Sequence, residues 1–257
     1  MQGAPVPVSV VIAARNEAAE IAACIESVSW AAEVIVVEND STDDTVALAA
    51  KAGARAFRHP FSTIGAQRNA AIGRALHDWI FVVDADERGT PSLGNAVQAA
   101  VGRAGGPSAY RAIRRNFFYG REIRHGGWER DKPIRLFRRE LRYDERPVHE
   151  HVVVDGEVGV LSEPLLHTPY ANLSEYFEKL QRYSKSWAEQ HAARGRRASL
   201  TDITLRPIAR FFTMLLVRGG WRDGAHGVVL ASLAAMSVAA KYTQLWALQR
   251  TRVEPNA

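Results

Sequence analysis

Asp84 and Asp86 stand one residue apart, directly after the apolar run of residues 79–83. Two carboxylates in a loop after a buried strand can meet a hard cation through oxygen. Mg2+ or Mn2+ takes one or two such carboxylates and completes its shell with waters and substrate phosphates. The alternative is a solvated acidic turn leading to a helix at Thr90. The position after a continuous apolar strand favours the cation. Two further polar clusters have the same placement. Arg15, Asn16 and Glu17 follow the run 8–14, and Glu38, Asn39 and Asp40 follow the run 34–37. Open parallel sheets bind ligands at the carboxyl ends of their strands, so all three clusters are expected along one edge. No GxGxxG follows the first run and no GxxxxGK[ST] occurs, which disfavours dinucleotide and P-loop sites.

The elements that must position these residues follow from pattern. Runs 8–14, 34–37 and 79–83 are short and largely apolar with several β-branched residues, as strands buried on both faces are, and 54–57 is read as a short third strand between the second and the fourth. Between them lie helical stretches. Asn16 is read as the cap of the first, before Ile21, Ile25 and Val28 at helical spacing. Ser41 with Asp44 is read as a capping box for the second, which Gly53 ends. A third helix covers 64–76, and Thr90-Pro91 opens a fourth. This β-α alternation predicts an α/β fold, a mostly parallel sheet with helices on both faces. After Gly105-Gly106-Pro107, strand-like pieces fall at 110–119, 134–137 and 151–154. From Asn172, paired with Glu175 as a cap, the chain turns helical, with further helices at 201–217 and 223–250. The expected division is 1–107, 108–170 and a helical extension at 171–257.

The chain has 257 residues, 47% hydrophobic and 24% charged, ordinary values for a globular protein. The single cysteine, Cys24, forms neither an internal disulfide nor a cysteine metal cluster. The N-terminus carries no basic stretch followed by a long apolar one, so no signal peptide is expected. Charge is uneven: residues 1–170 are net −2 and residues 171–257 net +7. The basic C-terminal part suggests an anionic contact, against the alternative of a solvated basic helix face. Residues 208–217 are apolar apart from Arg210 and Thr213 and are flanked by Arg206, Arg218 and Arg222, and 227–240 carry no charge. Each is shorter than the roughly 20 residues needed to span a bilayer. Lying on a membrane surface, or packing against protein, are the two readings left.

Four segments together resemble the family 2 glycosyltransferases of the GT-A fold. They are Val8-Ser-Val-Val-Ile-Ala-Ala-Arg-Asn-Glu17, Val36-Val-Glu-Asn-Asp-Ser-Thr-Asp-Asp-Thr45, Gly65-Ala-Gln-Arg-Asn69 and Trp79-Ile-Phe-Val-Val-Asp-Ala-Asp-Glu87. Within the family the chain is similar to the branch acting on the lipopolysaccharide inner core or related cell-envelope glycans. That likeness rests on Gly126-Gly-Trp128, Arg135-Leu-Phe-Arg-Arg139, Val148-His-Glu150, Leu166-His-Thr-Pro-Tyr170 and Gly219-Gly-Trp-Arg-Asp-Gly224.

The resemblance implies a metal-dependent, inverting transfer from a nucleotide diphosphate sugar, with uridine as the usual base. It implies a donor site of Ala14, Arg15, Glu17, Glu38, Asp43, Arg68 and Asp84. Glu38 stands where the family more often has Asp. It implies Mg2+ or Mn2+ on Asp86, with Asp84 and His167 as further ligands. Glu150 is the implied general base and Asp131 the second candidate; His149 departs from the acidic residue common at its position. Trp128 and Arg135 fall on the acceptor side, where Trp128 either stacks on a sugar or anchors a core. Alternation along the strand places Arg135 and Arg138 on opposite faces. The implied partners are the nucleotide sugar, a glycan or glycolipid acceptor and an anionic membrane surface met by the C-terminal helices. The implied location is the cytoplasm, peripherally on the inner face of the cytoplasmic membrane. Two rivals remain: a diphosphate-handling enzyme such as a nucleotidyltransferase, and a non-catalytic glycan- or membrane-binding scaffold. Nucleic-acid binding, suggested by the pI near 9.5, has little support, since stacking aromatics on a sheet are not evident.

Overall fold

The structure, a computed structural model, describes residues 4–144, 146, 150–170 and 172–251. Eleven strands and seven α-helices follow in the described chain. They are β1 (Val6–Ala14), α1 (Ile21–Ser27), β2 (Ala31–Glu38), α2 (Thr45–Lys51), β3 (Arg55–Arg58), α3 (Ile64–Ile72), β4 (Trp79–Val82), β5 (Glu87–Arg88) and α4 (Pro91–Val101). Then come β6 (Ala109–Arg111), β7 (Arg114–Phe118), β8 (Arg121–Ile123), β9 (Ile134–Arg138), β10 (Val158–Val160), β11 (Leu165–His167), α5 (Leu173–Ala193), α6 (Leu200–Phe212) and α7 (Ala225–Thr251). They fall into two compact units. The first comprises residues up to 115 and 131–168, the second 116–130 and the chain from 169 onward.

The first unit is built on a seven-stranded sheet of order β10-β6-β9-β4-β1-β2-β3. β1 runs parallel to β2 and β4, and β2 to β3, while β9 is antiparallel to β4 and β6. The central strands are apolar on both sides because both faces are covered. Val8, Val10 and Ile12 of β1 and Phe81 of β4 pack with Ile21 and Ile25 of α1 and with Leu93 and Val97 of α4. Val11, Ile35, Ile80 and Val82 face the other way, onto Ala71 and Ile72 of α3. This is the GT-A architecture, a Rossmann-like α/β fold, and the chain ends in a helical extension.

Two expected helix caps are absent for one reason. Asn16 does not cap α1, whose first turn has no side-chain cap. Its backbone is left-handed, φ 55°, a conformation Asn tolerates better than most residues. Its side-chain oxygen accepts from Thr42 N at 2.8 Å. Ser41 does not form a capping box either. Its hydroxyl accepts from Asn16 N at 3.1 Å, and α2 starts at Thr45 without a side-chain cap. These short polar side chains cross-link two strand-end loops instead of capping the helix that follows each. Thr90 does cap α4, accepting from Leu93 N at 3.1 Å, with Pro91 at the first helical position. The expected helix at 64–76 is the shorter α3, and the expected strand at 151–154 is reduced to one bridge, Tyr143 to Val152.

In the second unit Asn172 caps α5 by accepting from Glu175 N at 2.9 Å. α6 is α-helical only to Phe212; Thr213–Val217 continues as a π turn. α7 overturns one expectation. Counting only the charge-free stretch understated it, because Lys241 interrupts the sequence pattern without ending the helix. Ala225–Arg250 is long and apolar enough to cross a membrane by length and composition, with mean hydropathy 1.3. Two clusters form this unit's interior. Phe118, Ile123, Tyr176, Met214, Leu230 and Leu233 make the first, and Ala188, Ala198, Tyr242 and Leu245 the second.

Candidate active site

The carboxyl ends of β1, β2 and β4 bring the three polar clusters to one edge of the sheet, as a parallel sheet must. Ala14, the last residue of β1, is buried, and Arg15 after it is exposed. Backbone amides of this loop are held by the next one: Glu17 N donates to Thr45 Oγ1 at 2.8 Å, and Ala18 N to Asp43 Oδ2 at 3.1 Å. The Thr45 hydroxyl beside Asp43, more than any charge, lowers the Asp43 pKa. Glu38 is buried at 1% exposure and turned into its own loop, accepting from Ser41 N and lying 3.4 Å from Arg58 Nε. Asp40 beside it is left-handed, φ 52°.

At the end of β4 the charges interlock. Asp84 Oδ1 lies 2.5 Å from Arg68 Nη2, and its Oδ2 meets Arg135 and, at 3.4 Å, Arg114. Glu87, fully buried, holds Arg114 at 2.5 Å and Arg135 at 2.7 Å. Arg114 also reaches Asp131 Oδ2 at 2.7 Å, and Arg68 Nη1 reaches Glu150 Oε1 at 2.6 Å. Burial alone would raise the Asp84 pKa; Arg135, Arg68 and Arg114 outweigh it and hold the carboxyl far below the usual range. Burial likewise works against the charge of Arg135, and Asp84 and Glu87 override it. Buried charges are tolerated only when paired and hydrogen-bonded, and here each is.

A cavity of about 730 Å3 opens on this cluster. Arg68, Asp84, Arg114, Asp131, Arg135 and Glu150 line it, with Arg111, Lys132, Tyr143 and His151 among the remainder. Both candidate bases therefore face one cavity. Val148 and His149, the neighbours of Glu150 in its motif, lie outside the described residues.

Asp86 belongs to a separate pair. β11 lies antiparallel on β5 with His167 opposite Glu87, and Thr168 N donates to Asp86 O at 3.0 Å. This pairing sets His167 Nε2 3.5 Å from Asp86 Oδ2. Asp86 Oδ1 is buried with no hydrogen-bond partner among the described residues. An orphaned buried carboxylate oxygen beside an imidazole fits a divalent cation. Among the described residues no group of three or more His, Cys, Asp or Glu could hold a metal, so two protein ligands are what this edge offers. That number suits an Mg2+ or Mn2+ whose shell is completed by phosphate and water.

Arg135 differs in setting from an open acceptor-side group: it is 3% exposed and clamps Asp84 and Glu87. Arg138 lies on the other face of β9, 4.3 Å over the Trp79 ring. Trp128 belongs to the second unit, packed against the cluster of Phe118, Tyr176 and Met214. Sequence reasoning missed Arg114 and Tyr143. Arg114 sits in an Arg-Arg pair, and alternation marks one of the two as inward without saying which.

The family model for Glycosyl transferase family 2 matches residues 9–165. The lipopolysaccharide core biosynthesis glycosyltransferase LpsC of Rhizobium meliloti is 28% identical, over 97% of this chain and 96% of its own. An uncharacterized glycosyltransferase of Rickettsia felis is 27% identical, over 90% of this chain and 86% of its own. Among solved structures, glucosyl-3-phosphoglycerate synthase of Mycobacterium tuberculosis, in complex with Mn2+, uridine diphosphate and glucosyl-3-phosphoglycerate, matches at 25% identity and a TM-score of 0.38. That match covers 42% of this chain and 44% of the synthase. The family match spans more than half of the chain, including the ends of β1, β2 and β4, and the chain belongs to glycosyl transferase family 2.

Proposed function

We propose that the protein transfers a sugar from a uridine diphosphate donor to a glycan or glycolipid of the cell envelope, inverting the anomeric configuration. The observation that carries this reading is the Asp86 carboxylate. Among the described residues it has one buried oxygen without a hydrogen-bond partner and a histidine 3.5 Å from the other, and it stands two residues after Asp84, which lines the strand-end cavity together with Glu150. The near full-length likeness to a protein named for lipopolysaccharide core biosynthesis supports the acceptor class.

The donor nucleotide lies across the loops after β1 and β2, with Ala14, Arg15, Glu17, Glu38 and Asp43 framing it. Glu38 and Asp43 act there by shaping the backbone, since both carboxylates are committed to loop hydrogen bonds. Arg68 turns from Glu150 toward the donor's diphosphate, for which a guanidinium fork is suited. Glu150, so released, accepts the proton of the acceptor hydroxyl as that oxygen attacks the anomeric carbon. Asp131 is the second candidate for this role. One base and no enzymic nucleophile give inversion. Arg135 and Arg114 hold Asp84 at the strand end. A divalent cation on Asp86 and His167 would supply positive charge to the diphosphate leaving group.

The protein acts at the inner face of the cytoplasmic membrane, held there peripherally. Leu205, Ile208 and Phe212 of α6 are 50–60% exposed, with Arg206 beside them on the helix and Arg218 and Arg222 beyond its end, a pattern that supports a helix lying in an anionic interface. The transfer reading is tested by the anomeric configuration of the product, read by NMR coupling. Inverted product supports it, and retained configuration would overturn it.

A further inference from the structure

The second unit has a cavity of its own, of about 380 Å3. Tyr176, Met214, Leu230 and Leu233 give it apolar walls, and Arg210 of α6 and Lys241 of α7 enter it as cations. Both are half-buried. Among the described residues neither has a carboxylate partner, and the charges that act on them, Arg218 on Arg210 and Arg210 on Lys241, are of like sign. The unit does not lack acids. Glu175 pairs with Lys179 at 2.6 Å, Asp202 with Arg206, and Asp223 with His125 at 3.1 Å. Two cations left together, partly desolvated and unneutralised, are unfavourable unless an anion joins them. Burial, before the like charge, lowers the pKa of both, in keeping with that unmet demand.

We propose that this cavity binds a phosphate-bearing amphiphile. The phosphate sits between Arg210 and Lys241, and the adjoining apolar part lies against Tyr176, Met214, Leu230 and Leu233. A guanidinium and an ammonium suit a phosphate in complementary ways, one as a planar fork and one as a point charge. The volume falls within the range of small-ligand pockets. A phospholipid head with its first methylenes is the favoured source, because the cation pair and the apolar walls line one and the same cavity. The inference deepens the peripheral-membrane reading and rests on it for the source of the ligand; it is independent of the transfer chemistry.

The test uses the full chain and calorimetry, with Trp128 at the cavity wall as a fluorescent reporter. The probes are dihexanoyl phosphatidic acid, dihexanoyl phosphatidylcholine and inorganic phosphate. Phosphatidic acid is expected to bind at least tenfold more tightly than either of the others. The double variant Arg210→Gln, Lys241→Gln is expected to lose at least tenfold in affinity, while Lys185→Gln, an exposed cation of the same unit, changes it less than twofold. Equal binding of inorganic phosphate would overturn the amphiphile, and unchanged binding by a folded double variant would overturn the site. Should the double variant fail to fold, Lys241→Arg is expected to keep binding and Lys241→Met to lose it, and equal affinities would overturn the site. Ile208→Ser separates this proposal from the membrane reading. Loss of association with phosphatidic acid vesicles, with short-chain binding kept, supports the cavity as a site in its own right.

Discussion

The two units treat their buried cations in opposite ways. At the end of β4, Arg68, Arg114 and Arg135 are met by Asp84, Glu87, Asp131 and Glu150, so that every guanidinium has a carboxylate within 2.7 Å. In the helical unit, Arg210 and Lys241 are half-buried with no such partner among the described residues. The first arrangement fixes geometry. Asp84 cannot turn without uncovering a buried charge, so the strand-end loop is held before any ligand arrives. The second arrangement leaves a demand open, which only a ligand or solvent meets. Paired charge in a fold therefore marks the scaffold of a site, and unpaired charge marks a place for something else.

The contrast is broken or sharpened by like substitutions in each region. The largest effect is expected for Arg135→Met, which strands Asp84 and Glu87. Removing one partner of a buried ion pair costs about 3–5 kcal/mol. At roughly 2–4 °C per kcal/mol for a chain of this size, the melting temperature should fall by about 6–20 °C. A fall of only a degree or two would mean that the cluster is solvated. Next is Glu150→Gln, which keeps shape and removes the proposed base. Transfer should drop by about 10^2–10^4-fold, with donor binding by calorimetry intact. Unchanged turnover would move the role to Asp131.

Acidification should act on the same cluster. The Asp84 pKa is depressed below its ordinary value of 3.8 by the three arginines. Its contribution to stability is thus fully present above the unfolded-state pKa and is lost as pH falls below it. Urea unfolding between pH 7 and pH 3 should show the loss at the acid end, and Asp84→Asn should flatten that limb. A variant as acid-sensitive as the parent would show that other carboxylates dominate. The smallest effect is expected for Lys241→Met, which removes an unpaired cation. Stability should stay level or rise by under about 1 kcal/mol. A large loss there would mean that Lys241 has a structural partner and would erase the contrast.

Much of this was legible in the sequence, and the exceptions share a reason. β1, β2 and β4 announce themselves as apolar runs because both sheet faces are covered, and the polar residues after them are where a parallel sheet places a site. Thr90 reads correctly because its cap is local. Asn16 and Ser41 misread because each bonds a loop 25 or 26 residues away, where a cap rule sees only neighbours. The pairing of Arg68 with Glu150 spans 82 residues and could not be seen from spacing. Arg135 was placed on the acceptor side rather than in the buried cluster, since burial of an arginine shows only once its carboxylates are in place. The extent of α7 was read correctly, but its apolar span was understated because an isolated lysine breaks an apolar count without breaking a helix.

The central claim is that Asp86 is the cation-bearing carboxylate of a nucleotide-sugar site. It is tested most directly by calorimetry of uridine diphosphate with and without Mn2+, on the parent and on Asp86→Ala. The account predicts binding that needs the cation in the parent and is lost in the variant, with the fold intact by melting. A ligand at a hundredfold excess over its Kd should stabilise the parent by about 2.7 kcal/mol. Binding of equal strength without Mn2+, or unaltered in Asp86→Ala, would contradict it.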